Sequence, residues 1–280
     1  MKTILLPTDF SENSWNAIVY ALNFLEKEPC TFYLLHVTRL GDVMTNELPY
    51  TNAPEVIETT YTKPAKKKLR KFLKRIAAQF PDNLNHSFYT LTDYNFFIES
   101  IRKHVEEKKV DLIVMGTKGA SGIKKYIVGT NTGDIITKVH CTTLVVPENA
   151  TFTALEEIAF PTDFLQFYGV KTLLPLSDIL EHNTSALKIL HISKKEAQLN
   201  SEQQKNKEFL ADYFNGNQHS FHFLTNKKVE NAVQCFVESR SIKMIAMVAK
   251  NLNYFQHLFF NSKVEEISYQ TDIPFLVLHE

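Results

Sequence analysis

Apolar positions along this 280-residue chain alternate between two rhythms. Short runs rich in Val, Ile, Leu and Phe stand near 2–8, 31–37, 86–91, 110–115 and 142–147, and each predicts a buried strand. Between them apolar residues recur at helical spacing. Trp15, Ile18, Val19, Leu22 and Leu25 share one face of a helix predicted over 12–27, with Ser11 a fitting N-cap. Leu69, Phe72, Leu73, Ile76 and Phe80 do the same over 64–80, and further helices are predicted over 94–108 and 130–140.

The pattern is written twice. "ILLPTDF" (4–10) returns as "IAFPTDF" (158–164), "YLLHV" (33–37) as "KILHI" (188–192), "LIVMGTK" (112–118) as "IAMVAK" (245–250), and "TTLVVPE" (142–148) as "PFLVLHE" (274–280). Four matches in one order identify an internal repeat. Strands alternating with helices imply a parallel sheet covered on both faces by right-handed crossovers. The fold class is therefore α/β, as two tandem doubly wound, five-stranded parallel-sheet domains. The boundary falls in "PENATFTALEE", which gives an N-terminal domain over 1–149 and a C-terminal domain over 154–280.

Charge narrows the partners: thirty-one basic residues balance thirty-one acidic ones, so nothing global points to nucleic acid or an anionic membrane. Cys30, Cys141 and Cys235 are odd in number and far apart, with neither CxxC nor Cys/His spacing, which argues against a disulfide framework or zinc. Pro7 and Asp9 interrupt the N-terminal apolar run too early for a signal peptide, and no stretch approaches the roughly 18 apolar residues of a membrane span. A soluble, unexported, cytoplasmic protein is expected.

The stretch "GTKGASGIKKYIVGTNT" (116–132) carries the candidate chemistry. In an open doubly wound sheet, ligands bind beyond the carboxyl ends of the strands where strand order reverses. With strand order 3-2-1-4-5, the lips of that crevice are Pro7, Thr8 and Asp9 on one side and Met115 to Gly119 on the other. Glycine admits positive φ and lets a ligand approach the main chain. Gly129, Thr130, Asn131 and Thr132 open a helix whose unpaired N–H groups and dipole favour an anion, phosphate being the economical choice. Asp9 suits ribose or base. A P-loop and a dinucleotide fingerprint are both absent, and a glycine-rich turn serving only as a tight connection is the bland alternative.

Gly116, Gly119 and Gly129-Thr130 match G-2x-G-9x-G-[S/T], and with "ILLPTDFSENSWNAI", "LLHV", "DLIVMGTKG" and "TTLVVPE" the chain resembles the universal stress protein family. The resemblance covers nearly all of 1–148 and, more faintly, 156–280. It implies a Rossmann-like domain that binds ATP, ADP or AMP, with Mg²⁺ as an optional companion of the phosphates. The nucleotide would lie between Pro7, Thr8 and Asp9, the backbone near Val37, and the turn of Met115, Gly116, Lys118 and Gly119. Its phosphates would sit on Gly129, Thr130, Asn131 and Thr132. The resemblance also implies pairing of last strands, here 142–147 with 274–279, either within one chain as an internal pseudo-dimer or between chains as a homodimer.

The second copy lacks the glycines. Val248 stands opposite Gly116, Asn251 opposite Gly119, Tyr254 opposite Gly122 and Asn261 opposite Gly129. Asp163 still faces Asp9 and Ser262 faces Thr130, yet Tyr254, Phe255, Leu258, Phe259 and Phe260 occupy the span that would leave room for phosphates. Nucleotide is thus expected in the first domain only, and the aromatic cluster as core or interface, with an apolar ligand pocket as the alternative.

Other features have simpler readings. Eight basic residues between Lys63 and Arg75 interleave with apolar ones at helical spacing and read as a solvated helix face, against an acidic-partner site. His36 and His191 end corresponding strands without a second ligand at metal spacing. Ser11 and Ser121 read as capping or phosphate-contact residues, since no GxSxG elbow exists. Lys118 stands where it would neutralise phosphate. The long 40–63 segment is either a ligand-covering loop or a surface elaboration. Three functions stay open: an ATP-binding sensor or regulatory module in stress response, a slow ATP-hydrolysing or adenylyl-transferring enzyme, and a nucleotide-free interaction module.

Overall fold

Ile4, Leu5 and Leu6 are wholly buried, as expected where a parallel strand is covered on both faces. They lie on β1 (Lys2–Pro7). The structure, a computed structural model, describes residues 1–39, 57–117, 130–193, 198–226, 229–251 and 272–280. The described residues form two compact units, one up to Cys141 and the other from Thr142 to Glu280.

In the first unit β1 lies between β2 (Cys30–Arg39) and β4 (Leu112–Gly116), and β3 (His86–Asn95) pairs with the far side of β2. All are parallel, in the order β3-β2-β1-β4. Its helices are α1 (Glu12–Phe24), α2 (Lys63–Gln79), α3 (Phe97–Lys108) and α4 (Thr130–Lys138). Leu5, Leu35, Ile113 and Met115 share a core with Ile101 of α3 and Ile135 of α4. Strand alternation turns Ile4 and Leu6 to the other face, where α1 and α2 lie. There Phe72 packs edge-on against Trp15, ring centroids 5.3 Å apart. Arg75 covers the Trp15 ring at 4.0 Å while its fork donates to both Glu12 oxygens at 2.9 Å.

Ser11 caps α1 as expected, its hydroxyl accepting from Ser14 N at 3.1 Å. The end of the 40–63 segment differs from a loop: Glu58–Thr62 forms a π-helical turn running into α2, and Lys63 N donates to Glu58 O across the junction. The remainder, 40–56, lies outside the described residues.

The second unit contains β5 (Thr143–Val146), β6 (Glu157–Pro161), β7 (Ala186–Ser193), β8 (His219–Thr225), β9 (Ile242–Val248) and β10 (Phe275–Leu278). Their order is β5-β10-β9-β6-β7-β8. Its helices are α5 (Val170–Asn183), α6 (Ser201–Tyr213) and α7 (Val229–Ser239). Pairing is parallel except between β5 and β10, which run antiparallel with Val145 opposite Phe275, Leu144 opposite Leu276 and Thr143 opposite Val277. The two terminal strands therefore pair within one chain. β5 closes the first sequence repeat yet packs with the residues that follow it, because its hydrogen-bond edge is taken by β10.

Candidate functional site

The sharp turn after β1 is held by its own side chains. Thr8 N donates to Leu35 O at 2.8 Å, continuing the β1–β2 ladder one residue past Pro7. Phe10 then takes φ 67°, the left-handed region that costs a side chain steric strain. The strain is offset locally: Phe10 N donates to Thr8 Oγ1 at 3.0 Å, and the Phe10 ring lies 4.4 Å from the His36 ring. Ser14 Oγ gives its one proton to Ser11 O at 2.8 Å, so in the 2.9 Å contact between Thr8 Oγ1 and Ser14 Oγ the donor is Thr8. Asp9 Oδ1 accepts from Ser11 N at 3.0 Å and Ser11 Oγ at 2.6 Å, which orients the half-exposed carboxylate at the rim.

His36 completes the turn. Its Nδ1 lies 2.8 Å from Thr8 O, an acceptor, so Nδ1 carries hydrogen. Burial lowers the His36 pKa, opposed by the Thr8 carbonyl, assisted by Lys68 and opposed weakly by Asp9.

Across from this turn, Gly116 ends β4 and the first turn of α4 is fastened to it: Thr132 Oγ1 donates to Gly116 O at 2.9 Å, fully buried. A Cβ on Gly116 would sit 2.7 Å from Asn13 Nδ2. Asn13, on the first turn of α1 and 8 % exposed, thus fills the room that the glycine leaves.

The β1–β4 pairing sets Leu5 opposite Ile113, two residues before Pro7 and Met115 respectively, and Thr132 is bonded onto Gly116. Val37 stands on β2 two residues past the end of β1's pairing, half-buried. Met115 points into the core, so only its backbone faces the crevice. Asn131 is half-buried at the start of α4, and Thr130 begins that helix. Lys118, Gly119, Gly122, Ser121 and Gly129 lie outside the described residues. Sequence reasoning missed Asn13, Ser14 and the left-handed Phe10. The one available signal was the second copy, which replaces Asn13 with Phe167 and Ser14 with Tyr168.

That copy repeats the turn. Phe164 takes φ 58°, its N donates to Thr162 Oγ1 at 3.0 Å, Thr162 N donates to Leu190 O at 2.8 Å, and His191 Nδ1 lies 3.0 Å from Thr162 O. Tyr168 reaches Thr162 Oγ1 at 2.9 Å through its phenol, in place of Ser14. Tyr168 is buried for this contact, and α5 starts only at Val170, behind Gly169. Phe167, in the place of Asn13, is exposed, whereas Val248, in the place of Gly116, is buried. A polar depression of ≈ 410 Å³, lined by Glu156, Glu157, Gln218 and Arg240, lies at the amino ends of this unit's strands. That is the wrong end of such a sheet for ligand chemistry.

Fold and site together define a doubly wound α/β protein with a strand-order reversal at β1 and a glycine beside it. Residues 1–147 match the universal stress protein family, and the chain belongs to it. It is similar to two universal stress proteins of Methanocaldococcus jannaschii. MJ0531 is 28% identical over 145 residues, covering 52% of this chain and 81% of that protein. MJ0577 is 28% identical over 153 residues, covering 52% and 94%. Over its whole length the chain shares the fold of a universal stress protein from Archaeoglobus fulgidus, with TM-score 0.69 and 18% identity, covering 98% of this chain and 97% of that one.

Proposed function

We propose that the first domain, 1–149, binds an adenine nucleotide, ATP with ADP and AMP as related ligands, and that the protein is a cytoplasmic sensor or regulatory module. Asp9 takes the ribose, the backbone at Val37 and Met115–Gly119 the base and sugar, and the start of α4 the phosphates. The observation that carries this reading is the bond from Thr132 to the Gly116 carbonyl. It ties the first turn of α4 to the end of β4, the strand next to β1, which supports an anion seat at the strand-order reversal. Mg²⁺, where present, accompanies the phosphates. Turnover is expected to be slow, since the sequence shows no assembled set of catalytic groups beyond the glycine cradle.

The domain over 154–280 keeps the Thr-Asp-Phe turn but has Val248 in place of Gly116, and serves as fold and pairing surface. Asn13 filling the space beside Gly116 favours a second reading, in which the glycine serves packing and the protein is a nucleotide-free interaction module. Mass spectrometry of the denatured, purified protein separates the two: released adenylate is expected. Gly129→Asp should abolish nucleotide binding with the fold retained, and unchanged affinity would remove the assignment.

A further inference from the structure

Helix α2 carries Lys63, Lys66, Lys67, Lys68, Arg70, Lys71, Lys74 and Arg75, with no acidic residue anywhere along it. These cations divide by helical angle. Lys68 and Arg75 lie on a flank turned to α1 and are engaged, Lys68 over the Phe10 ring at 5.2 Å and Arg75 on Trp15 and Glu12. Lys63, Lys66, Lys67, Arg70, Lys71 and Lys74 follow spacings of three and one, forming a single stripe. All six are exposed. Ala65, Leu69 and Ile76, on the opposite side, are buried. Among the described residues this stripe meets one carboxylate, Glu58, at 4.0 Å from Lys66.

A solvated helix face ordinarily mixes signs. Helix α3 does so, pairing Glu99 with Arg102 at 3.0 Å, and α6 interleaves Glu202 and Glu208 with Lys205 and Lys207. On α2, by contrast, Lys63–Lys67, Lys66–Arg70, Lys67–Lys71 and Arg70–Lys74 are like-charge neighbours one turn apart, which destabilise a helix. The arrangement is unfavourable for the free protein and complementary to a row of negative charges.

We propose that the outer face of α2 docks an acidic segment of a partner polypeptide. The stripe spans about 16 Å at 1.5 Å per residue, with one cation or a pair per turn, matching carboxylates spaced along a helix or an extended strand. Its exposed side carries no ring on which a base stacks, which disfavours single-stranded nucleic acid. The apolar side of the helix is buried in its own unit and offers nothing to insert into a bilayer. The chain is neutral overall, so attraction arises at this stripe rather than from the molecule's net charge.

Fluorescence anisotropy of a labelled oligoglutamate peptide, titrated with the full-length protein at low salt, tests this. Binding is expected, and it should weaken steeply as salt shortens the screening length to about 3 Å at 1 M. Lys67→Glu with Lys71→Glu should weaken it about tenfold or more, and the neutral pair Lys67→Gln with Lys71→Gln by an intermediate factor. The control pair Lys171→Glu with Lys205→Glu, equal in net charge, should leave it within about twofold. Circular dichroism establishes that each variant is folded. Failure of the wild type to bind the peptide overturns the proposal. So does equal loss in the control pair, or tighter binding of duplex DNA or of phosphatidylserine vesicles.

Discussion

Gly116 and Asn13 interlock: the carboxamide of Asn13 stands where a side chain on Gly116 would begin, with a Cβ-to-Nδ2 separation of 2.7 Å. Gly116→Ala should therefore destabilise the protein by about 1–3 kcal/mol through overpacking. Asn13→Ala in the same chain should recover much of that loss. Urea unfolding of the two single variants and the double variant measures the coupling, and additive losses would show that the residues do not compete for space.

Thr8 binds Phe10 N and Ser14 Oγ with one hydroxyl, inside a buried turn that holds Phe10 left-handed. Thr8→Val keeps the shape and removes both bonds, and should cost about 1–3 kcal/mol. Thr162→Val in the second unit should cost a similar amount, since Thr162 binds Phe164 N and the Tyr168 phenol. A loss confined to one unit would mean that the duplicated turns are not energetically equivalent.

Thr132→Val removes the bond to Gly116 O and should cost about 1 kcal/mol. On the nucleotide reading it also weakens adenylate binding, because the phosphate seat is then no longer fastened to β4. Isothermal titration with ATP reads this second effect apart from stability. Unaltered affinity would leave Thr132 with a structural role alone.

His36 is held neutral by burial, so its folded-state pKa lies below the unfolded value of about 6.5. Below that pH the unfolded chain binds the extra proton first, and stability falls as pH drops. Burial acts likewise on His86. Thermal midpoints should decline between about pH 7 and pH 5, and His36→Gln should show a shallower decline. A midpoint that rose over that interval would contradict the assignment.

Burial pushes the Cys30 thiol up to about 11 and the Cys141 thiol up to about 12, whereas Cys235 is exposed. Ellman's reagent should modify Cys235 quickly in the native protein, and the other two only after unfolding, because the thiolate is the reactive form. Rapid reaction of all three would show that the core around β2 and α4 opens readily.

Most of the fold was legible because a parallel sheet buries its strands on both faces, leaving apolar runs such as Ile4–Leu6 and Leu112–Met115. The helices were legible where Trp15, Ile18 and Leu22, or Leu69 and Ile76, kept helical spacing. The π-helical turn at Glu58–Thr62 carried no such signal, since none of its residues is buried. At the site, Thr8, Asp9 and Gly116 announced themselves by repeat and by residue type. Asn13 did not, because a polar residue at a helix start is ordinary and only its neighbour across the sheet makes it matter.

By itself the sequence determined the duplication, the order of strands and helices, and the presence of the Gly116, Gly119, Gly122 and Gly129 set in one copy only, since burial and backbone freedom are properties each residue expresses locally. The tertiary structure decided that β1 lies between β2 and β4, and that β5 joins β10. It also decided that Asn13 closes on Gly116 and that Tyr168 replaces Ser14 in the second turn. These depend on contacts between residues far apart in the chain, where geometry across the sheet, rather than any local pattern, selects the partner.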